Sequence, residues 1–108
     1  MTVRELSEKT DFEPICLPDG EREINGCYCG DLLSWVMGRA KADQAWITIM
    51  SNVNIVAVAT LCDTSCIILS ENVALDDEIK AVAEAKDVNI LKTALPTYEA
   101  AKALSEII

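Results

Sequence analysis

Apolar residues recur along this chain in short clusters whose spacing switches between helical and extended periods. Val3 and Leu6 give Val3–Lys9 one apolar side, and Thr2 with Glu5 three residues on forms a capping box at its start. Phe12 to Leu17 predicts an edge strand, since Pro14 lacks the N–H that a central ladder needs. Pro18-Asp19-Gly20 predicts a turn in which proline fixes φ and glycine accepts left-handed backbone. Glu23 to Cys29 reads as a second extended run, bent at Asn25-Gly26.

Gly30-Asp31 marks the clearest boundary. Asp31 is a good N-cap, and Leu32, Trp35, Val36 and Arg39 follow at helical spacing, predicting a helix Leu32–Ala40. Ala45 to Met50 predicts a strand that buries Trp46, Ile47 and Ile49. Ser51 to Leu61 has strand-forming Ile55, Val56 and Val58, yet Ser51 or Asn52 can cap a helix. A helix is favoured, because strands on either side need a crossover. Ser65 to Leu69 reads as a central strand, and Asp76-Asp77 opens a helix presenting Ile79, Val82 and Ala83 to the core. Val88 to Leu91 is a further strand. Pro96 starts a last helix with Tyr98, Ala101, Leu104 and Ile108 on one stripe.

From Asp31 onward, helices alternate with short apolar strands. That order predicts an α/β fold: three layers, α/β/α, around a mostly parallel sheet. The first 30 residues read as a small added lobe or edge. At 108 residues, the chain has the size of a single domain spanning 1–108.

Composition narrows the function more than the fold. Eighteen acidic against nine basic residues give a net charge of −9, which opposes nucleic acid and anionic membranes. The longest apolar stretch, Ile55–Ala59, is far short of the about 20 residues of a membrane span. Without a secretory pattern at the start, the five cysteines read as reduced thiols and the expected location is cytoplasmic. There is no histidine, so the usual base near neutral pH is missing and no catalytic residue is expected.

The run Gly26-Cys27-Tyr28-Cys29-Gly30-Asp31-Leu32-Leu33-Ser34-Trp35-Val36-Met37-Gly38 resembles the signature stretch of DRTGG domains. Trp46-Ile47-Thr48-Ile49, Asn54-Ile55-Val56-Ala57-Val58-Ala59 and Pro96-Thr97-Tyr98-Glu99-Ala100-Ala101 continue the likeness over nearly the whole chain. The resemblance implies a stand-alone copy similar to the N-terminal domain of bacterial HPr kinase/phosphorylase. DRTGG domains also occur in certain phosphate acetyltransferases and beside CBS pairs in inorganic pyrophosphatases, where other domains carry the catalysis. It therefore implies a dimerising or regulatory unit. Its expected partner is a protein of the histidine-kinase-like or iron–sulfur class.

Three places invite a site. Gly30, ahead of a helix N-terminus, could offer N–H groups to an anion, but Asp31 would occupy those donors, and capping is the simpler account. The turn Ser51-Asn52-Val53-Asn54, with Thr93 after the last strand, lies where open α/β sheets bind ligands. It is the expected pocket for a nucleotide or phosphorylated metabolite. Cys27, Cys29, Cys62 and Cys66 could supply four thiolates if they met in space. Buried thiols acting as small hydrophobes are the default, so no metal or cofactor is expected. Trp35 and Met37 are candidate residues of a homodimer interface, with core packing the alternative for Trp35.

Two readings follow. The first is a non-catalytic regulatory or dimerisation module that docks on a partner protein. The second is a small-ligand sensor.

Overall fold

The computed structural model describes all 108 residues, Met1–Ile108. In chain order the elements are α1 (Val3–Lys9), β1 (Glu13–Cys16), β2 (Cys27–Cys29), α2 (Leu33–Arg39), β3 (Ala45–Thr48), α3 (Asn54–Cys62), β4 (Cys66–Leu69), α4 (Asp77–Ala85), β5 (Ile90–Lys92) and α5 (Thr97–Ser105). The strands form one five-stranded sheet in the order β1-β5-β4-β3-β2. β2 to β5 are parallel, and β1 lies antiparallel on β5. Pro14 sits in that outermost strand, as its missing N–H requires.

Every residue of β3 and β4 is buried, because helices cover both sheet faces. The pleat sends alternate side chains to two cores. Trp46, Ile67, Leu69 and Ile90 pack with Val36 of α2, Ile55, Val56 and Ala59 of α3, and Ile79 and Ala83 of α4. Ala45, Ile47, Cys66, Ile68 and Leu91 pack with Val3 and Leu6 of α1 and Ala100 and Leu104 of α5. The three-layer α/β/α architecture read from the sequence is the one observed.

Several local expectations are corrected. Of the two expectations for the first 30 residues, an added lobe or an edge, the edge holds: they supply both edge strands and α1 of the second layer. The capping box does hold, with Glu5 N–H donating to Thr2 Oγ1 at 3.1 Å and Thr2 N–H to Glu5 Oε1 at 2.9 Å. Gly20 is in the predicted turn, yet no glycine has positive φ. Its use is close approach, since a Cβ there would meet Arg4 Nη2 at 2.6 Å. The second extended run narrows to Cys27–Cys29, with Glu23 reduced to a single bridge to Thr2.

Asp31 does not cap α2, which begins after Leu32 without any side-chain cap. Its Oδ1 instead accepts from Thr48 Oγ1 at 2.8 Å and from Ile49 N–H at 2.9 Å, tying the end of β2 to that of β3. Ile49 lies past the end of β3 and is exposed. In α4 only Ile79 and Ala83 are buried, and Val82 is turned out. The stripe on α5 is Ala100 and Leu104. Tyr98 is 72% exposed and lies off the buried line.

Candidate functional site

The sheet order decides where a site can form. β2, β3, β4 and β5 are laid down one after another in a single direction. The helices between them, α2, α3 and α4, all pack into the same core. Strand order never reverses within the parallel part, so the crevice that such a reversal opens at strand carboxyl ends is missing. The polar groups there are partnered with one another. Besides the Asp31–Thr48 bond, Ser70 Oγ and Thr97 Oγ1 share a hydrogen bond of 2.8 Å.

The sequence-predicted pocket residues separate. Ser51 and Asn52 line a shallow depression of about 550 Å³ between β3 and the start of α4, whose other walls include Asp76 and Glu78. No lysine or arginine faces it, so its charge opposes a phosphate. Asn52 Oδ1 already accepts from Asn54 N–H at 2.9 Å in an Asx turn leading into α3. Asn54 lines the neighbouring groove instead. Thr93 is buried on β5's side of the sheet, where its hydroxyl accepts from Leu95 N–H at 3.2 Å. Gly30 is structural: its carbonyl accepts from Trp46 Nε1 at 2.9 Å, and a Cβ there would meet the Tyr28 ring at 2.9 Å.

The most distinctive surface lies on α2 and α3. From Gln44 to Cys62 there is no charged side chain, in a chain of net charge −9. α3 buries Ile55, Val56, Val58 and Ala59, while its outer side shows only Asn54, Ala57, Thr60 and Leu61. A helix that is apolar all round belongs in an interior, and this one has a bare side. Val53, Ala57 and Leu61 line a groove of about 490 Å³ facing Val82 of α4 and Lys86 just past its end. Leu61 is 69% exposed. Trp35 and Met37 of α2 are 54% and 46% exposed, so Trp35 is a surface residue and not part of the core. The Arg39 guanidinium lies 3.9 Å over its ring, a cation–π contact that leaves the rest of the indole uncovered. Uncharged residues along a helix gave a sequence signal for this face, but it resembled a fully buried crossover.

The four cysteines do not converge. Cys62 packs beside α2, its thiol donating toward the Val36 carbonyl at 3.5 Å. Cys66 faces the opposite core, where burial pushes its thiol up to about 12. Cys27 and Cys29 do meet, with their sulfurs 3.9 Å apart on one face of β2. The two thiols share this contact, which lowers Cys29 and raises Cys27, with burial adding to the rise.

The layering and strand order define a class: a small three-layer α/β domain with an antiparallel edge strand. The DRTGG domain family model matches residues 29–107, and the chain belongs to that family. Among solved structures it is similar to the CBS and DRTGG domains of the regulatory region of Clostridium perfringens pyrophosphatase, solved with the activator diadenosine tetraphosphate. The TM-score is 0.72 and the identity 11% over 94% of this chain. The chain spans 44% of that structure's length. No curated protein matches it.

Proposed function

We propose that this protein is a non-catalytic regulatory module that acts as a homodimer, with the second copy seated on the α2–α3 face. The observation that carries this reading is the uncharged, half-exposed flank of α3 beside the exposed Trp35 and Met37. Interface cores are depleted in charge and enriched in aromatic residues and methionine. Charge also selects the occupant. Two copies at −9 each repel over most of their surface, whereas α2, α3 and the groove carry no acidic side chain, only the cations Arg39 and Lys86. A two-fold dimer, the commonest assembly, would place each copy's groove against the other's α3.

Membership in the DRTGG family supports a regulatory role, as does the likeness in fold to a pyrophosphatase regulatory region. The resemblance to the N-terminal domain of HPr kinase/phosphorylase belongs to the same reading, since catalysis there lies in another domain. A partner of the histidine-kinase-like or iron–sulfur class would dock on the assembled dimer. Sedimentation of the purified protein is expected to give a dimer, and Trp35→Glu a folded monomer with unchanged far-ultraviolet circular dichroism. A wild-type chain that stays monomeric at high concentration overturns the reading.

One observation favours a sensor as the second reading: the structural neighbour is described with a dinucleotide activator. The depression at Ser51 and Asn52 suits a base or ribose, whose hydroxyls Asp76 or Glu78 can accept, better than a phosphate. Adenosine should then raise the melting temperature more than its phosphorylated forms do, and Asn52→Ala should abolish the rise. Equal or larger shifts with the phosphorylated forms count against that pocket.

A further inference from the structure

On the opposite face from the proposed dimer contact, the geometry points to a two-thiolate chelate for one soft d10 cation, formed by Cys27 and Cys29 of β2. The strand supplies the placement. Residues two apart on a strand share a face, so both sulfurs emerge beside α5 and stand 3.9 Å apart. With metal–sulfur bonds of about 2.3 Å, that separation corresponds to a sulfur–metal–sulfur angle of about 115°, close to tetrahedral or trigonal geometry. The side chains are thus already set for a cation before one arrives.

A disulfide fits the same pair less well. Two residues of a strand are about 6.6 Å apart at Cα. That lies at the long end of the disulfide range. The pair is also accessible. Cys29 is exposed and Cys27 partly so, and both line an open depression of about 390 Å³ with Tyr98, Ala101, Lys102 and Ser105. Soft thiolate ligands select cations such as Cu(I), Zn(II) and Cd(II) over hard ones.

The rest of the cysteine set is excluded from this site by position. Cys66 is paired laterally with Ala45, which is paired with Cys27, so it sits two strands away, at about 9.6 Å. Cys16 and Cys62 belong to the other core. One chain therefore supplies two ligands, and the remaining coordination positions open to solvent. Both thiols give up their protons on binding.

The test is a titration of the reduced full-length protein with Cd(II), read by the thiolate-to-cadmium charge-transfer absorption. Saturation at one equivalent per chain is expected. Because the second sulfur binds intramolecularly, Cys27→Ser and Cys29→Ser should each weaken binding by about 100-fold. Cys62→Ser should leave it unchanged. Circular dichroism of each variant separates loss of ligand from loss of fold, and exposed Cys29 is the safer of the two substitutions. Absorption that persists in the Cys27→Ser, Cys29→Ser double variant overturns the proposal. So does a folded wild type with no band, or saturation at half an equivalent, which would mean a cation shared between copies.

Discussion

At the scale of single residues, polar side chains are spent on joining elements. Asp31 ties two strand ends together, and Asn89 does the same for a distant turn. Asn89 is buried, its amide donating to the carbonyls of Asp19 and Ser65 at 2.8 and 2.9 Å, while its Oδ1 accepts from Asp19 N–H at 2.9 Å. It thereby pins the Pro18–Gly20 turn to the amino end of β4. Asp31→Ala leaves the buried Thr48 hydroxyl without its acceptor and is expected to cost about 1–2 kcal/mol. A capping role would cost a similar amount, so a double mutant decides between the two. Combined with Thr48→Val, the loss should fall short of the sum of the single losses, because both remove one bond. Chemical denaturation of the four proteins measures it; additive losses would return Asp31 to helix capping. The bond to Thr48 could not be read from the sequence. An aspartate before an apolar helix looks like a cap wherever its partner lies.

At the scale of the element, α3 is the segment whose two sides do different work. Ile55 is fully buried against the sheet, and Ile55→Ala is expected to cost about 2–5 kcal/mol. Leu61, at the same helix's outer edge, loses almost nothing when replaced. Leu61→Glu should change monomer stability by no more than about 0.5 kcal/mol. The same variant should nonetheless weaken the dimer, because association would bury a carboxylate that the monomer leaves in water. Paired unfolding and sedimentation measurements check both halves of the statement. The helix itself was legible from the need for a crossover between two strands. Its bare side was not, since an apolar sequence looks the same whether neighbours cover all of it or half. The same limit explains Val82 and Tyr98, which lie on helical stripes that the sheet reaches only in part.

At the scale of the whole molecule, topology and charge act together. Laying strands down in one direction removes the ligand crevice and gathers α2, α3 and α4 on one side, where the uncharged surface arises. α1 and α5 occupy the other side, next to the cysteine pair. The proposed dimer contact and the dithiol therefore use separate faces and can be tested separately. Since copies at −9 repel over the rest of their surface, dimerisation should strengthen as salt rises. At about 0.15 M the screening length is about 8 Å, enough to damp most of that repulsion. Dissociation constants that rise with salt would instead indicate a contact built on ion pairs.

The sequence by itself determined the alternation of helices and strands, the parallel sheet, the edge position of Pro14 and the capping box at Thr2. Each follows from local periodicity, from the N–H that proline lacks or from the hydroxyl that threonine carries. Tertiary structure alone decided which half of each apolar stripe is covered, where Asp31 and Asn89 find their partners, and which cysteines meet. Cys27 and Cys29 are neighbours because one strand holds them, but Cys62 and Cys66 part because the pleat and the crossover send them to opposite cores. Periodicity is a property of one segment, whereas coverage and pairing depend on what other segments bring to the same place.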